Sequence, residues 1–501
     1  MIQDTSALYN ALTARDPRFD GVFYVGVTST GIYCRPVCTA RTPKAANCRF
    51  FDSAAMAEKA SFRPCLRCRP ELAPGNAPVD DAHRIASLIA QRIDEGVLDD
   101  GASIETIAAQ FGWSSPQIRR MVSKELGVSP IELVLTRRLL LAKQLLTETA
   151  MPIIDVAFAS GFSSVRRFND AFSGRYGMPP TRFRKATTDA AAASATDSFT
   201  LLLGYRTPFE WAQLLGFLAA RAMAGVEAVS DGAYLRTIRL GAHTGWIRVT
   251  DAPKQRALLV ELTHSLTPVL PALLGRLRHL FDLSARPDVI DAQLATDPLL
   301  AGAVARHPGL RVPGAFDGFE LAVRAILGQQ VTVKAATTIA GRFAAAFGDA
   351  TRTPHAALTH LSPSSARVAA ATVDDVASLG IIRTRARSII ALAQEIESGE
   401  LVLEPGAPPE PTIAQLVALP GIGAWTAQYI AMRALRWPDA LPKEDIALRN
   451  ALGGATPARA EELSQPWRPW RSYALLHLWR EAGERAQPAP VGILTASRKS
   501  R

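Results

Sequence analysis

Gly31-Ile-Tyr-Cys34-Arg-Pro-Val-Cys38 and, after a gap of 26 residues, Cys65-Leu-Arg-Cys68 are the stretches that decide how the chain begins to fold. Four of the five cysteines of this 501-residue chain lie in these two close pairs, and no cysteine follows Cys68. Close thiol pairs in a chain otherwise poor in cysteine are typical of a tetrahedral zinc site rather than of a disulfide framework. The spacing therefore predicts one Zn²⁺ bound by Cys34, Cys38, Cys65 and Cys68.

The composition of the whole chain limits where such a protein acts and what it binds. A net charge of +10 indicates a polyanionic partner such as nucleic acid. The N-terminal sequence contains acidic residues and no apolar core of a secretory signal, and no run of about 18 apolar residues follows. We therefore expect about three or four domains, no membrane partner, and a location in the cytoplasm, where thiols stay reduced.

An internal repeat lies downstream of the cysteines. Ala108-x3-Gly112-Trp-Ser-Ser115 recurs 49 residues later as Ala157-x3-Gly161-Phe-Ser-Ser164. Each glycine permits a tight turn between two helices, and each serine pair supplies a candidate N-cap for the second helix. Two helical hairpins with solvated arginine faces are the alternative. The side chains predicted to read bases or clamp phosphates are Gln117, Arg119, Arg120, Arg166, Arg167 and Asn169.

Residues 85–185 resemble the AraC-type DNA-binding domain, in which a long helix joins two helix-turn-helix units. The resemblance implies an all-α domain that binds promoter DNA, with its long helix near Thr136–Thr149. It also implies RNA polymerase as a further partner of an activator. The second recognition helix is expected to be one residue longer than the first, from the spacing to its closing glycine.

The arginines around the cysteines matter because four zinc-bound thiolates carry a net charge of −2. Arg35 and Arg67 would offset this charge and hold a DNA backbone nearby. From spacing alone, a purely structural zinc site is favoured. Residues 1–70, however, resemble the methyl-acceptor domain of the Ada family. That resemblance implies a small α/β fold in which Cys34, as ligand and nucleophile, irreversibly takes a methyl group from a DNA methylphosphotriester. Cys48 is expected to be a buried hydrophobe.

In the C-terminal half, Leu419-Pro-Gly421-Ile-Gly423 predicts a tight turn between two helices. Such a turn presents backbone N–H groups at a helix N-terminus, where they suit a DNA phosphate. Asp445 follows where a new helix should begin, and its carboxylate could balance a cationic sugar or activate water. An ordinary helix cap is the alternative for Asp445.

These two motifs together resemble the helix-hairpin-helix glycosylase superfamily, and residues 200–485 resemble AlkA-type 3-methyladenine DNA glycosylases. Matching stretches include Arg324-Ala-Ile-Leu-Gly-Gln-Gln330 and Trp467-Arg-Pro-Trp470. The resemblance implies base flipping, with Asp445 as the catalytic carboxylate. It also implies an aromatic cleft for the alkylated base, although core packing is the alternative for each ring. The implied cleft residues are Phe217, Trp425, Tyr429 and Trp479.

Two departures from that superfamily refine the expected chemistry. Trp425 stands where bifunctional lyases carry their lysine, so we expect a monofunctional hydrolase in this domain. Gln330 stands where the family has a DNA-intercalating leucine, which predicts a weaker wedge. The absence of cysteine beyond Cys68 excludes an iron–sulfur cluster and a second acceptor thiol.

The sequence thus predicts a multidomain, mainly α chain with α+β parts. The expected segments are a zinc domain (1–78), a double helix-turn-helix (82–186), a linker (187–198), an α+β subdomain (199–280) and a helix-hairpin-helix domain (281–488). The expected function is DNA alkylation repair and adaptive-response regulation, by a DNA-3-methyladenine glycosylase II combined with a suicide methyltransferase. The alternative is a transcriptional regulator with a structural zinc and a catalytically silent glycosylase fold.

Overall fold

The computed structural model describes residues 5–15, 23–51, 54–65, 67–68, 70, 86, 89–90, 93, 104–105, 108, 114–185, 197–405 and 407–486. The chain divides into two compact units, Met1–Arg137 and Arg138–Arg501. Helices make up most of the described elements, with two sheets among them, which confirms the predicted mainly α chain with α+β parts. The linkers at 72–78 and 187–196 lie outside the described residues, and the domain boundaries stay predictions.

A four-stranded sheet of order β3-β1-β2-β4 organises the start of the first unit. Its elements are α1 (Thr5–Ala14), β1 (Tyr24–Val27), β2 (Ile32–Cys34), β3 (Cys48–Phe51), α2 (Ala54–Lys59) and β4 (Arg63–Pro64). Strand β2 pairs in parallel with β4, and the Cys65 N–H donates to the Tyr33 carbonyl at 3.0 Å. This pairing brings the first and second halves of the cysteine pattern together.

Cys48 differs from its prediction as a buried hydrophobe. It lies on β3, half-buried, and packs against a small cluster that contains Leu12 and Phe23. Its Sγ lies 3.4 Å from the Lys44 carbonyl oxygen. Strand β3 lies at the edge of the sheet.

The helix-turn-helix repeat is helical throughout its described part. Its helices are α3 (Ser115–Leu126), α4 (Pro130–Glu148), α5 (Ile153–Ala159), α6 (Val165–Tyr176) and α7 (Pro180–Lys185). The long helix α4 begins at Pro130, earlier than the predicted Thr136. Gly112 and Trp113 lie outside the described residues.

The expectation of a longer second recognition helix is wrong. Helices α3 and α6 each contain 12 residues, and each ends at a glycine in the left-handed conformation. The extra residue lies before the helix instead. The N-cap of α3 is Ser114, two positions after Gly112, whereas the N-cap of α6 is Ser164, three positions after Gly161.

A five-stranded antiparallel sheet of order β5-β9-β8-β7-β6 opens the rest of the second unit. Its strands are β5 (Ser198–Gly204), β6 (Glu227–Ser230), β7 (Ala233–Leu240), β8 (His243–Ala252) and β9 (Ala257–Thr263), and α8 (Trp211–Ala219) lies between β5 and β6 in the chain. Among the residues that the structure describes, β5 pairs with β9 alone, and no strand lies along its other edge.

Twelve further α-helices of the described chain follow. They are α10 (Pro287–Leu294), α11 (Ala301–Arg306), α12 (Gly318–Leu327), α13 (Val333–Phe347), α14 (Ser365–Ala369), α15 (Val373–Ala377), α16 (Arg383–Glu397), α17 (Pro409–Ala418), α18 (Ala424–Arg433), α19 (Ile446–Ala451), α20 (Pro457–Leu463) and α21 (Arg471–Ala486), and α9 (Leu270–Leu280) precedes them in the chain. One continuous apolar core holds them, with Trp467 and Phe343 among its largest buried side chains. None of the helices in the described part of the chain has the length and apolarity that a bilayer crossing needs.

Candidate functional site

The four predicted zinc ligands lie together. The Sγ atoms of Cys34, Cys38, Cys65 and Cys68 are all within 4.8 Å of one another. Sulfur atoms about 2.3 Å from a tetrahedral zinc would be about 3.8 Å apart, which lies within this limit, so the cluster fits Zn²⁺. The zinc site is therefore confirmed. Cys34 is half-buried as a residue, whereas the other three cysteines are buried.

A small cavity of about 190 Å³ lies beside Cys34 and is lined by Thr30, Arg41 and Thr42 among others. Arg67 is exposed, and its Nη1 donates to the Thr39 carbonyl at 3.3 Å. Most of the cavity lining is apolar, and the cavity borders Cys38 and Cys65 as well as Cys34, so Arg41 is the basic side chain that could meet a phosphate there.

Arg35 is a correction to the predicted DNA contacts. Its side chain is only 1% exposed, so it does not face a DNA surface. Its backbone N–H instead points to the Cys68 Sγ at 3.5 Å. This contact stabilises thiolate charge from within the domain.

Zinc removal is expected to unfold this domain. Apparent binding energies of about 10–16 kcal/mol are typical of structural zinc sites, and the cluster ties β2 to the segment after β4. Chelation should make all four ligand thiols reactive towards a thiol reagent and should abolish amide protection in β1 and β2. The conservative variant Cys48→Ser serves as the control and should keep one zinc per chain. Stoichiometric zinc in Cys38→Ser would contradict this assignment.

The side chains predicted to contact DNA from the helix-turn-helix repeat are exposed on their helices. Gln117 has an additional task, because its Oε1 accepts the Ser114 N–H at 2.9 Å and so caps α3. Arg119 pairs with Glu105 at 3.5 Å, an exposed pair that costs little to exchange for a phosphate. In the second copy, Arg166, Arg167 and Asn169 are among the exposed residues of α6.

Asp445 is the N-cap of α19 and does more than cap it. Its Oδ1 accepts the Leu448 N–H and the Trp479 indole N–H, both at 2.9 Å. Its Oδ2 accepts the Trp425 indole N–H at 3.0 Å. The Asp445 side chain is only 9% exposed. The three donors hold its carboxylate in one orientation. The helix-cap alternative for Asp445 is thus confirmed, and its catalytic role stays a prediction.

A cavity of about 290 Å³ opens beside this carboxylate and is lined by Asp445, Trp425, Tyr429 and Trp479. Trp425 and Tyr429, one turn apart on α18, stack with ring centroids 5.2 Å apart and an interplanar angle of 9°. Trp479 approaches Tyr429 with a centroid distance of 6.3 Å. A volume of this size is suited to one planar base.

Phe217 is a second correction, because it does not line this cavity. It borders a neighbouring cavity of about 550 Å³ that also includes Trp479. The Arg221 guanidinium carbon lies 3.8 Å from the Phe217 ring centroid, and that of Arg433 lies 5.0 Å away. Cation–π contacts therefore occupy the ring that the sequence assigned to the base.

The sequence analysis missed the arginines of the cavity. Arg221, Arg324 and Arg433 all line it, and the Arg433 Nη1 donates to the Tyr429 hydroxyl at 2.8 Å. Burial alone would raise the pKa of Tyr429, but the charges of Arg433 and Arg221 bring it below its ordinary value. The spacing of Tyr429 and Arg433, one helical turn apart on α18, was an available signal.

The predicted hairpin joins α17 to α18 and lies beside the Gln330 loop. Gly421 has φ +76°, and a Cβ there would approach the Ser388 Oγ to 2.5 Å, so glycine is required. Gly423 is the N-cap of α18. Gln330 is exposed with φ +53°, while the preceding Gln329 donates to the Gly421 carbonyl at 2.9 Å. The loop that contains Gln330, the expected wedge, is thus hydrogen-bonded to the hairpin.

Comparison with known proteins covers each of these parts. The matching families are the metal binding domain of Ada (residues 7–71), a helix-turn-helix domain (100–186), the AlkA N-terminal domain (200–317) and the HhH-GPD superfamily of base excision DNA repair proteins (323–469). These are domains of DNA-binding and DNA-repair proteins.

Similar proteins share either the whole arrangement or its C-terminal part. A probable bifunctional transcriptional activator/DNA repair enzyme AlkA of Mycobacterium tuberculosis is 41% identical over 486 residues, covering 96% of this chain and 97% of that protein. DNA-3-methyladenine glycosylase 2 of Escherichia coli is 36% identical over 281 residues, covering 56% of this chain and 97% of that protein.

Among solved structures, 3-methyladenine DNA-glycosylase from Archaeoglobus fulgidus matches with a TM-score of 0.50 at 20% identity, covering 56% of this chain and 97% of that one. At this identity the match supports the fold of the C-terminal part alone. The near full-length relative and the order of the four matched domains lead to one assignment. The chain belongs to the family of bifunctional transcriptional activator/DNA repair proteins that join an Ada metal-binding domain, a helix-turn-helix domain and an AlkA-type glycosylase.

Proposed function

We propose that this protein repairs alkylated double-stranded DNA in the cytoplasm by two separate chemistries and uses one of them to regulate transcription. One is hydrolytic and centred on Asp445, and the other is a single methyl transfer to Cys34. The observation that carries the hydrolytic activity is a carboxylate oriented by two indole N–H groups beside a base-sized cavity. Release of 3-methyladenine from alkylated duplex DNA by the full chain is its direct test.

In the glycosylase reaction, the alkylated purine leaves the duplex and enters the cavity beside Trp425 and Tyr429. Cleavage of the N-glycosidic bond leaves its electron pair on the base and a cationic sugar behind. The Asp445 carboxylate stabilises that cation, and a water molecule supplies the oxygen of the new C1′–O bond. Among the residues of the described chain that line the cavity none is a lysine, which supports hydrolysis without a Schiff base.

The indole donors are expected to act through the orientation of Asp445. Hydrogen bonds to a charged group contribute about 1.5–3 kcal/mol, so loss of one should slow excision about tenfold to a hundredfold. We expect this decrease in the single-turnover rate of Trp425→Phe and of Trp479→Phe. Trp470→Phe, which changes a tryptophan that packs on Tyr473 outside the cavity, is the matched control. Wild-type rates in both indole variants would contradict a positioning role.

In the methyl transfer, we propose that the Cys34 sulfur attacks the methyl carbon of a methylphosphotriester. The S–C bond forms as the C–O bond breaks, and the electron pair of that bond stays on oxygen to give a phosphodiester anion. The four cysteines would hold a zinc ion, and their sulfurs would stay deprotonated at neutral pH when it is bound. The partial exposure of Cys34, beside three buried ligands, supports this choice of nucleophile.

The regulatory step follows from charge. Methylation turns a thiolate into a neutral thioether and removes one negative charge where the zinc domain meets phosphate, so DNA binding should strengthen. The recognition helices α3 and α6 would direct this gain to promoter DNA, and RNA polymerase would be the further partner. Equal promoter affinity before and after methylation of Cys34 would overturn this switch.

A further inference from the structure

Two side chains of the long helix α4 form hydrogen bonds with the backbone of one residue of the edge strand β5. The Gln144 Nε2 donates to the Leu202 carbonyl at 2.7 Å, and the Leu202 N–H donates to the Glu148 Oε2 at 2.9 Å. Gln144 also donates to Glu148 at 3.0 Å, and all three bonds are partly buried. We call these three residues the β5 clasp.

The β5 clasp supplies hydrogen-bond partners to two groups whose positions are unfavourable without them, the Glu148 carboxylate and the backbone of Leu202. Glu148 is the last residue of α4, where the helix dipole disfavours an anion, and the last turn of α4 contains no basic residue. Leu202 lies on the free edge of the sheet, where an outward N–H and carbonyl need partners. Gln144 and Glu148 lie one helical turn apart. Gln144 supplies the donor for the Leu202 carbonyl, and Glu148 supplies the acceptor for the Leu202 N–H.

Other contacts extend this attachment to the recognition helix. Helix α5 lies against the 3-10 turn His264–Val269 that follows β9. The Tyr176 hydroxyl at the end of α6 donates to the Leu139 carbonyl of α4 at 3.4 Å. The arginines of α6 are thereby connected to the sheet of the glycosylase part through α4.

We propose that the β5 clasp joins the second helix-turn-helix and the glycosylase part into one rigid body. DNA held by α6 is then kept at a fixed position relative to the base cavity, so promoter or backbone binding and base excision are mechanically linked. The inference goes beyond the proposed activities. The attachment holds whether or not either chemistry occurs, and its test does not use activity.

The test is amide hydrogen exchange of the full chain, resolved to single residues, in the wild type and in Gln144→Ala/Glu148→Ala. Leu202 should be protected in the wild type, and its exchange should rise at least about tenfold in the double variant. Thr200, two residues earlier on β5 with its N–H on the same side, is the internal comparison. Lys143→Ala, an exposed change on the same helix, is the matched control and should leave Leu202 protected.

Calorimetry of the same proteins supplies a second readout that does not depend on one amide. The wild type should unfold its helix-turn-helix α5–α7 together with the glycosylase part, whereas the double variant should show them as separate transitions. The proposal is overturned if Leu202 exchanges as fast as Thr200 in the wild type. It is also overturned if the double variant leaves both the exchange of Leu202 and the unfolding transition unchanged.

Discussion

Asp445→Asn should lower the rate of 3-methyladenine release from alkylated duplex DNA by about a thousandfold, as expected for loss of a preorganised charge at a reacting centre. Asparagine keeps nearly the same size and caps a helix as well as aspartate does, so α19 should remain folded. What disappears is the negative charge beside the cationic sugar, together with one of the two acceptor oxygens that the indole N–H groups bond. Single-turnover excision with enzyme in excess over DNA measures this step directly.

Two comparisons separate charge from structure in this experiment. Asp445→Ala removes the cap as well and should cost about 1 kcal/mol of stability in addition, visible in thermal unfolding, whereas Asp445→Asn should not. Methyl transfer to Cys34 should be unchanged in both variants. Retained excision in Asp445→Asn would refute the assignment of Asp445. No excision by the wild type would instead favour a regulator with a silent glycosylase fold.

Local spacing explains why the sequence predicted so much of this molecule. The two cysteine pairs needed only the parallel pairing of β2 with β4 to become a four-thiol cluster. The hairpin at Gly421 needed one backbone conformation that glycine alone adopts readily, and the structure has it at φ +76°. When the residues of a motif lie within a few positions of each other, the local backbone conformation fixes their relative geometry, so the spacing predicts it.

The errors and omissions concern contacts between distant parts of the chain. Arg35 follows a ligand directly, yet its side chain is buried inside its domain. Phe217 belongs to the expected aromatic set, but it borders the neighbouring cavity and contacts the guanidinium groups of Arg221 and Arg433. The bonds from two indoles to Asp445 join three separate helical elements, and no spacing in a single sequence indicates them.

The first result that tests the N-terminal activity is a mass increase of about 14 Da on Cys34, expected when one methyl group replaces the thiol proton. The full zinc-loaded chain is incubated with duplex DNA that carries methylphosphotriesters, then digested and mapped by mass spectrometry. We expect one methyl group per chain and none on the other cysteines, because Cys34 is the only one of the four ligands that is not buried.

The variants Cys34→Ser and Cys48→Ser test the same assignment through the loss or retention of methyl uptake. Methyl uptake should vanish in Cys34→Ser, whose oxygen is a poor nucleophile at neutral pH, and should be unaffected in Cys48→Ser, whose thiol lies outside the cluster. Zinc content is measured in each, so that a failure to fold is not read as a loss of chemistry. A methyl group on Cys38, Cys65 or Cys68 in the wild type would show that burial does not select the nucleophile. Absence of any adduct in the zinc-loaded wild type would leave the four thiols with a structural role only, as their spacing alone first suggested.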